Sequence, residues 1–156
     1  VVLLGRQIRA RVERARAQNN SVLSVFVTKD SASLRLGPGV VMSYNRGVWG
    51  SCVHALGSSS VVVNGSHMSH NFAHNSGGSI IGRDQSRVLV TGGARISFCE
   101  SRVWGGALQA DGSAKVTVAG GSVIHNNKAQ YGEAMVTSRG VLLSFGFRTP
   151  EALNPK

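Results

Sequence analysis

One short pattern recurs at a nearly fixed interval through most of this chain. Trp49-Gly50-Ser51-Cys52-Val53 aligns with Ser76-Gly77-Gly78-Ser79-Ile80, Trp104-Gly105-Gly106-Ala107-Leu108 and Tyr131-Gly132-Glu133-Ala134-Met135, at steps of 27, 28 and 27. Leu34-Arg35-Leu36, Val61-Val62-Val63, Val88-Leu89-Val90 and Val116-Thr117-Val118 keep nearly the same spacing independently. So do Met42, Met68, Ile96 and Ile124. A fixed period of this length marks stacked supersecondary units that bury their apolar faces against one another.

Each unit holds three short apolar runs that alternate with period 2, separated by Gly, Ser, Asn or Asp. That is the pattern of strands and turns. The turns are too short for crossover helices, so each strand must pair with its own equivalent one coil away, about 4.8 Å along an axis. The expected fold is all-β: a right-handed parallel β-helix of about 4–5 coils over residues 21–147. Four columns should fill it: Leu34/Val61/Val88/Val116, Leu36/Val63/Val90/Val118, Met42/Met68/Ile96/Ile124 and Val53/Ile80/Leu108/Met135.

Residues 1–20 leave the period. Leu4, Ile8, Val12 and Ala15 fall three or four apart, with Arg6, Arg9, Arg11, Arg14 and Arg16 around them. A basic amphipathic α-helix capping the open end of the solenoid is expected. A helix lying on a membrane surface and an Arg-rich targeting sequence fit the same spacing. Residues 148–156 read as an irregular tail. The first residue is Val, as expected of a piece of a longer chain, so a targeting signal could lie upstream of it.

Lys and Arg number 17 against 7 acids, a formal net charge of +10. Such a charge attracts polyanions, and it also simply favours solubility. The arginines are spread along the chain, which suits a diffuse field better than one nucleic-acid groove. No apolar run approaches the ~20 residues a membrane-spanning helix needs. Cys52 and Cys99 have no metal-ligand spacing and allow at most one disulfide, whose formation the sequence leaves open.

Gly77-Gly78-Ser79-Ile80 and Gly105-Gly106-Ala107-Leu108 are Gly-Gly-Ala-Ile-type motifs, degraded in Gly50-Ser51-Cys52-Val53 and Gly132-Glu133-Ala134-Met135. Phe72-Ala73-His74-Asn75 is a Phe-x-x-Asn motif, with Phe98-Cys99-Glu100-Ser101 as a counterpart lacking the Asn, and Ile124 to Gly132 forms a matching strand-to-turn segment. In these features residues 22–147 resemble the polymorphic outer-membrane proteins of chlamydiae and related β-helical autotransporter passengers. The resemblance implies a surface-displayed, adhesive stalk, extracellular or on the cell surface.

Other β-helices of the pectin-lyase type are polysaccharide lyases or hydrolases, which need clustered carboxylates. Asp84 and Asp111 could be neighbours on adjacent coils, yet turn residues that bond their own backbone sit in such positions too. No third carboxylate joins them, no paired-Asp motif is present, and no catalytic residue, metal or cofactor is assigned. His70 and His74 are four apart on a strand and turn, where that spacing carries no metal-binding meaning. The outward positions remain as binding candidates. Arg87 and Lys115 share a column, as do His67 and Arg95, and Arg35 faces out on an earlier strand. Trp49, Trp104 and Tyr131 share a further column, where they could stack on sugar rings or seal a turn over the core. The expected function is a non-catalytic, structural or adhesive module presenting a rigid basic face to an acidic polysaccharide or to a host or neighbouring surface protein. Anionic lipid and nucleic acid are lesser candidates, and a carbohydrate-active enzyme or a viral or phage fibre repeat are the alternatives.

Overall fold

The computed structural model describes residues 2–138 and 141–144, so the tail expected at 148–156 lies outside the described residues. The chain is a parallel β-solenoid of about five turns, with no helix among the described residues. Val2–Leu4, Phe26–Thr28, Val53–Ala55, Ile80–Gly82, Leu108–Asp111 and Met135–Ser138 stack as a first sheet. Arg9–Val12, Ser33–Leu36, Ser60–Asn64, Arg87–Thr91, Lys115–Val118 and Val141–Ser144 make a second. Arg16–Gln18, Val41–Ser43, His67–Ser69, Arg95–Ser97 and Val123–His125 make a third. A fourth, shorter sheet joins Arg46–Trp49, Phe72–Ser76 and Glu100–Ser101, one more than the three runs per unit read from the sequence.

The registers follow the repeat. Val61 pairs with Val88 and Val88 with Val116, Met68 with Met42 and Ile96, and Ile80 with Val53 and Leu108. Every member of the four expected core columns is 2% exposed or less, except Met135, which is partly buried against the core. Fully burying each such side chain is favourable by about 1.5–3 kcal/mol, and the alternation Val61-Val62-Val63 puts two of every three inward.

The N-terminal capping helix is corrected. Residues 2–18 form a first coil of three strands, in which Ala10 and Val12 pair with Leu34 and Leu36, and Ala17 with Met42. This coil is shorter than the others. Val2 pairs with Phe26 and Arg16 with Val41, steps of 24 and 25, so it escapes a search at 27. The inward residues are Leu4, Ala10, Val12 and Ala17, whereas Ile8, which completed the apparent helical face, is 45% exposed. Alternation at Ala10-Arg11-Val12 and the in-register pairing partner win over a helical spacing of three or four.

A polar column stands inside the third corner. Asn45 is fully buried, accepts from the Asn20 amide Nδ2 (2.8 Å) and donates from Nδ2 to Asn71 Oδ1 (3.1 Å). Asn71 Oδ1 also accepts the Asn45 backbone N–H (3.0 Å), and Asn127 Oδ1 accepts that of Cys99 (2.9 Å). A primary amide is donor and acceptor at once, so it can satisfy its own copy on the next rung. Cys99 interrupts this ladder and offers Asn71 Nδ2 only its sulfur at 3.8 Å. Both Cys52 and Cys99 are buried free thiols whose pKa is raised, first by burial.

Corners are turned by left-handed residues, and these recur in columns. Asp30, Gly57, Asp84 and Gly112 form one, with φ of 58°, 63°, 59° and 69°. Tyr44, His70 and Phe98 form another at 57°, 55° and 53°, a conformation costing a non-glycine residue roughly 1–2 kcal/mol. Gly78 and Gly106 are required for a different reason, because a Cβ on either would run into a carbonyl oxygen of the next coil, that of Gly106 or Glu133.

Two substitutions test the ladder by urea denaturation. Asn71→Ala strands the Asn45 backbone N–H and leaves its Nδ2 with the Ala17 carbonyl alone, and should cost about 3 kcal/mol. Cys99→Asn restores the missing amide and should gain about 1 kcal/mol. A destabilised Cys99→Asn protein with Asn71→Ala neutral would show that the column is not cooperative.

Candidate functional site

The outer faces of the second and third sheets carry the candidate charges. Their eleven strands contain Arg9, Arg11, Arg35, Arg87, Lys115, Arg16 and Arg95, and no acid. Arg87 pairs with Lys115 and His67 with Arg95, as expected from the repeat. Arg35 stands between Arg11 and Val62, one column over from Arg87 and Lys115. Arg9, Arg11 and Arg16 join the face because the first coil is strand. Sequence reasoning missed them there, and the signal that would have placed them is the match of Ala10-x-Val12 to Leu34-x-Leu36.

Among the described residues, only Arg11 of these seven cations has an ion-pair partner, Glu13 at 2.5 Å. Arg87 and Lys115 are exposed on adjacent rungs, flanking a depression of about 440 Å³ floored by Val62 and Leu89. Two unit charges at that spacing in water repel by about 1 kcal/mol. An anion laid across them removes this cost.

The two aspartates read as a candidate pair sit elsewhere, Asp84 in a turn and Asp111 at the end of the strand Leu108–Asp111. Asp84 Oδ2 accepts the Gly57 N–H (2.8 Å) and Asp111 Oδ1 the Gly112 N–H (2.8 Å). Asp84 lies beside Gly112, whose neighbour Ser113 donates its N–H to the Asp84 carbonyl (2.7 Å), so the two aspartates are one residue out of register. No group of three His, Cys, Asp or Glu that could hold a metal stands together among the described residues. No helix among them is long and apolar enough to cross a membrane.

Aromatic residues form two columns. Trp49 aligns with Ser76, Ser76 with Trp104 and Trp104 with Tyr131, in the register read from the sequence. Trp104 and Tyr131 stack at 4.4 Å and 25°, and the Arg83 guanidinium lies 4.1 Å over Trp49. The second column was not foreseen: Tyr44 stacks on His70 (4.8 Å) and His70 on Phe98 (5.1 Å) along the left-handed corner. In consequence Phe98 matches His70, while Phe72 pairs with Glu100, so the two Phe-x-x-Asn segments lie two residues out of step. In the Tyr44–His70–Phe98 column His70 is stacked on both faces, and Tyr44 and Phe98 each on one.

Three outward side chains of the first sheet are buried as well, Ile81 fully, Gln109 at 4% exposure and His54 at 9%, whereas Leu3 at the sheet's edge is 58% exposed. His54 Nε2 and Gln109 Oε1 make no hydrogen bond among the described residues. Burial brings the His54 pKa down to about 4, with the charge of Arg83 adding to the shift and Asp84 opposing it.

No protein-family model, curated protein or solved structure matches this chain. What its geometry defines is a class: a parallel β-solenoid with one basic outer surface and one sheet covered on part of its outer face.

The pH dependence of stability reports on that covered sheet. Because the fold favours neutral His54, its contribution is complete above the ordinary pKa of 6.5 and is lost as pH falls from there toward about 4. A decrease of about 2 kcal/mol between about pH 8 and pH 5 is expected from this group. Urea midpoints at the two pH values should show it in the native chain and not in His54→Leu; equal losses in both proteins would remove His54 as the cause.

Proposed function

We propose that this chain is a non-catalytic, adhesive module of a cell-surface or secreted protein, which holds a polyanion, foremost an acidic polysaccharide, on its basic outer face. The observation that carries this reading is the distribution of charge: seven cations and no acid across the eleven strands of the second and third sheets. Spacing adds to it, since Arg11 with Arg35 and Arg87 with Lys115 pair on adjacent rungs, about 4.8 Å apart. A scaffold whose every strand is hydrogen-bonded to the next loses little conformational entropy on binding, so many weak contacts can sum. The resemblance to polymorphic outer-membrane proteins and autotransporter passengers agrees with this role. A right-handed, pectin-lyase-like winding, the hand that parallel crossovers overwhelmingly take, is part of the same proposal. A host or neighbouring surface protein with an acidic face would meet the same residues.

Heparin and polygalacturonate binding, measured by calorimetry over a salt series, tests the reading. Affinity should fall steeply with salt, and Arg87→Gln/Lys115→Gln should weaken it about 30-fold, two contacts of roughly 1 kcal/mol each. Undiminished binding by the double variant would displace the polyanion from this face. Release of reducing ends or unsaturated products from either polymer would replace the adhesive reading with an enzymatic one.

A further inference from the structure

The Trp49, Ser76, Trp104, Tyr131 column has a gap. Ser76 supplies no ring, so the two indoles stand two rungs apart, roughly 10 Å. One face of Trp104 rests on Tyr131, and the other looks across Ser76. Arg83, which belongs to the Ser76 rung, lies over Trp49 and reaches Asp111 Oδ2 on the Trp104 rung with its Nε at 3.4 Å. Between them is a cavity of about 330 Å³, bordered by Trp49, Trp104, Arg83, Asp111, Gln109 and Ser76.

Two properties distinguish this notch from a packing defect. Gln109 is 4% exposed and lines it, and its amide oxygen, shut off from solvent, accepts no hydrogen bond among the described residues. A buried acceptor of this kind costs free energy until a donor reaches it. The notch is also balanced in charge, because the guanidinium of Arg83 is countered within it by the Asp111 carboxylate.

A ligand for this space needs an apolar face for the indole of Trp104, a hydroxyl to meet the Gln109 amide, whose oxygen turns toward the cavity by rotation of the amide, and hydroxyls able both to accept from Arg83 and to donate to Asp111. A carboxylated ring would meet the Asp111 charge at close range. We propose that the Ser76 notch is a binding subsite for one neutral pyranose ring, a terminal or branching sugar of a glycan. It uses none of the cations of the second and third sheets and does not rest on the polyanion reading.

The chain's two tryptophans both border the notch, so intrinsic fluorescence reports on it directly. Titration of the full chain with glucose, galactose, mannose, N-acetylglucosamine and glucuronate should give a saturable change for at least one neutral sugar. A Kd on the order of 1 mM is expected for a single ring. Ser76→Trp fills the notch and should abolish the response, read by ligand-observed NMR because the variant adds a fluorophore. Gln109→Leu should weaken binding about tenfold, as loss of a hydrogen-bonding amide from the cavity wall does. Heparin affinity of the same variants should be unchanged, which separates failure of this site from failure of the basic face. The proposal is overturned if no neutral sugar saturates at about 50 mM, a concentration far above the expected Kd. It is equally overturned if glucuronate binds more tightly than every neutral sugar, or if binding survives in Ser76→Trp. Should Ser76→Trp not fold, Trp104→Ala replaces it, with a loss of about tenfold or more expected from the missing stacking face.

Discussion

Every residue in this solenoid has a near-copy of its own position one rung above and one below, about 4.8 Å away. That contact decides which side chains each column can hold. Branched aliphatics tolerate their own copies, so Val61, Val88 and Val116 fill a shaft. Asparagine is the polar residue that pairs with itself, and it occupies the buried column of Asn45 and Asn71. Aspartate does not tolerate its copy, and at the first corner Asp30 and Asp84 are spaced by Gly57 and followed by Gly112. The Asp84 carboxylate turns this spacing to use by taking the N–H of the glycine one rung away. Lysine and arginine in register repel, which is why Arg87 and Lys115 stand on an exposed face where water screens them.

The same rule explains what was legible in the sequence. Apolar columns with a step of 27 or 28 announce themselves, and with them came the pairing of Arg87 with Lys115, His67 with Arg95, and the Trp49 column. The first coil was not legible at that step. It closes in 24 or 25, and its inward residues include the small Ala10 and Ala17. Five arginines around a few apolar residues imitate a basic amphipathic helix when the pairing partner is left out of account. The asparagine ladder was readable in principle: Asn20, Asn45 and Asn71 lie 25 and 26 apart, and Cys99 and Asn127 follow at 28. Asparagine there passes for a turn residue, because a polar side chain pointing inward runs against the binary pattern. The Gln109 oxygen and the Arg83–Asp111 pair were out of reach, since they depend on which outer face is covered.

That coverage divides the molecule's surface chemistry. The second and third sheets face water, where single charges contribute weakly and act through number and regular spacing. The outer face of the first sheet is buried at His54, Ile81 and Gln109, the last beside the aromatic column, and there the cost of an unsatisfied polar atom is high. His54 shows the effect by losing its affinity for a proton, and Gln109 by holding a vacant acceptor beside an open cavity. One face is thus suited to an extended, charged polymer, the other to a small group recognised by shape and hydrogen bonding.

Both surfaces are nevertheless built on the same rungs. A shift of Trp104 relative to Trp49 would have to stretch the parallel ladders that also fix Arg87 against Lys115, and those ladders carry the stability of the fold. Coupling between sites requires an element with two accessible arrangements. Among the described residues each strand is hydrogen-bonded to its equivalents on the neighbouring rungs, with a register shift between Ala73 and Ser76, and no such element joins these faces. Engagement of a charged chain and of a sugar ring would therefore add without cooperativity, and avidity for a ligand bearing both would come from rigid geometry alone.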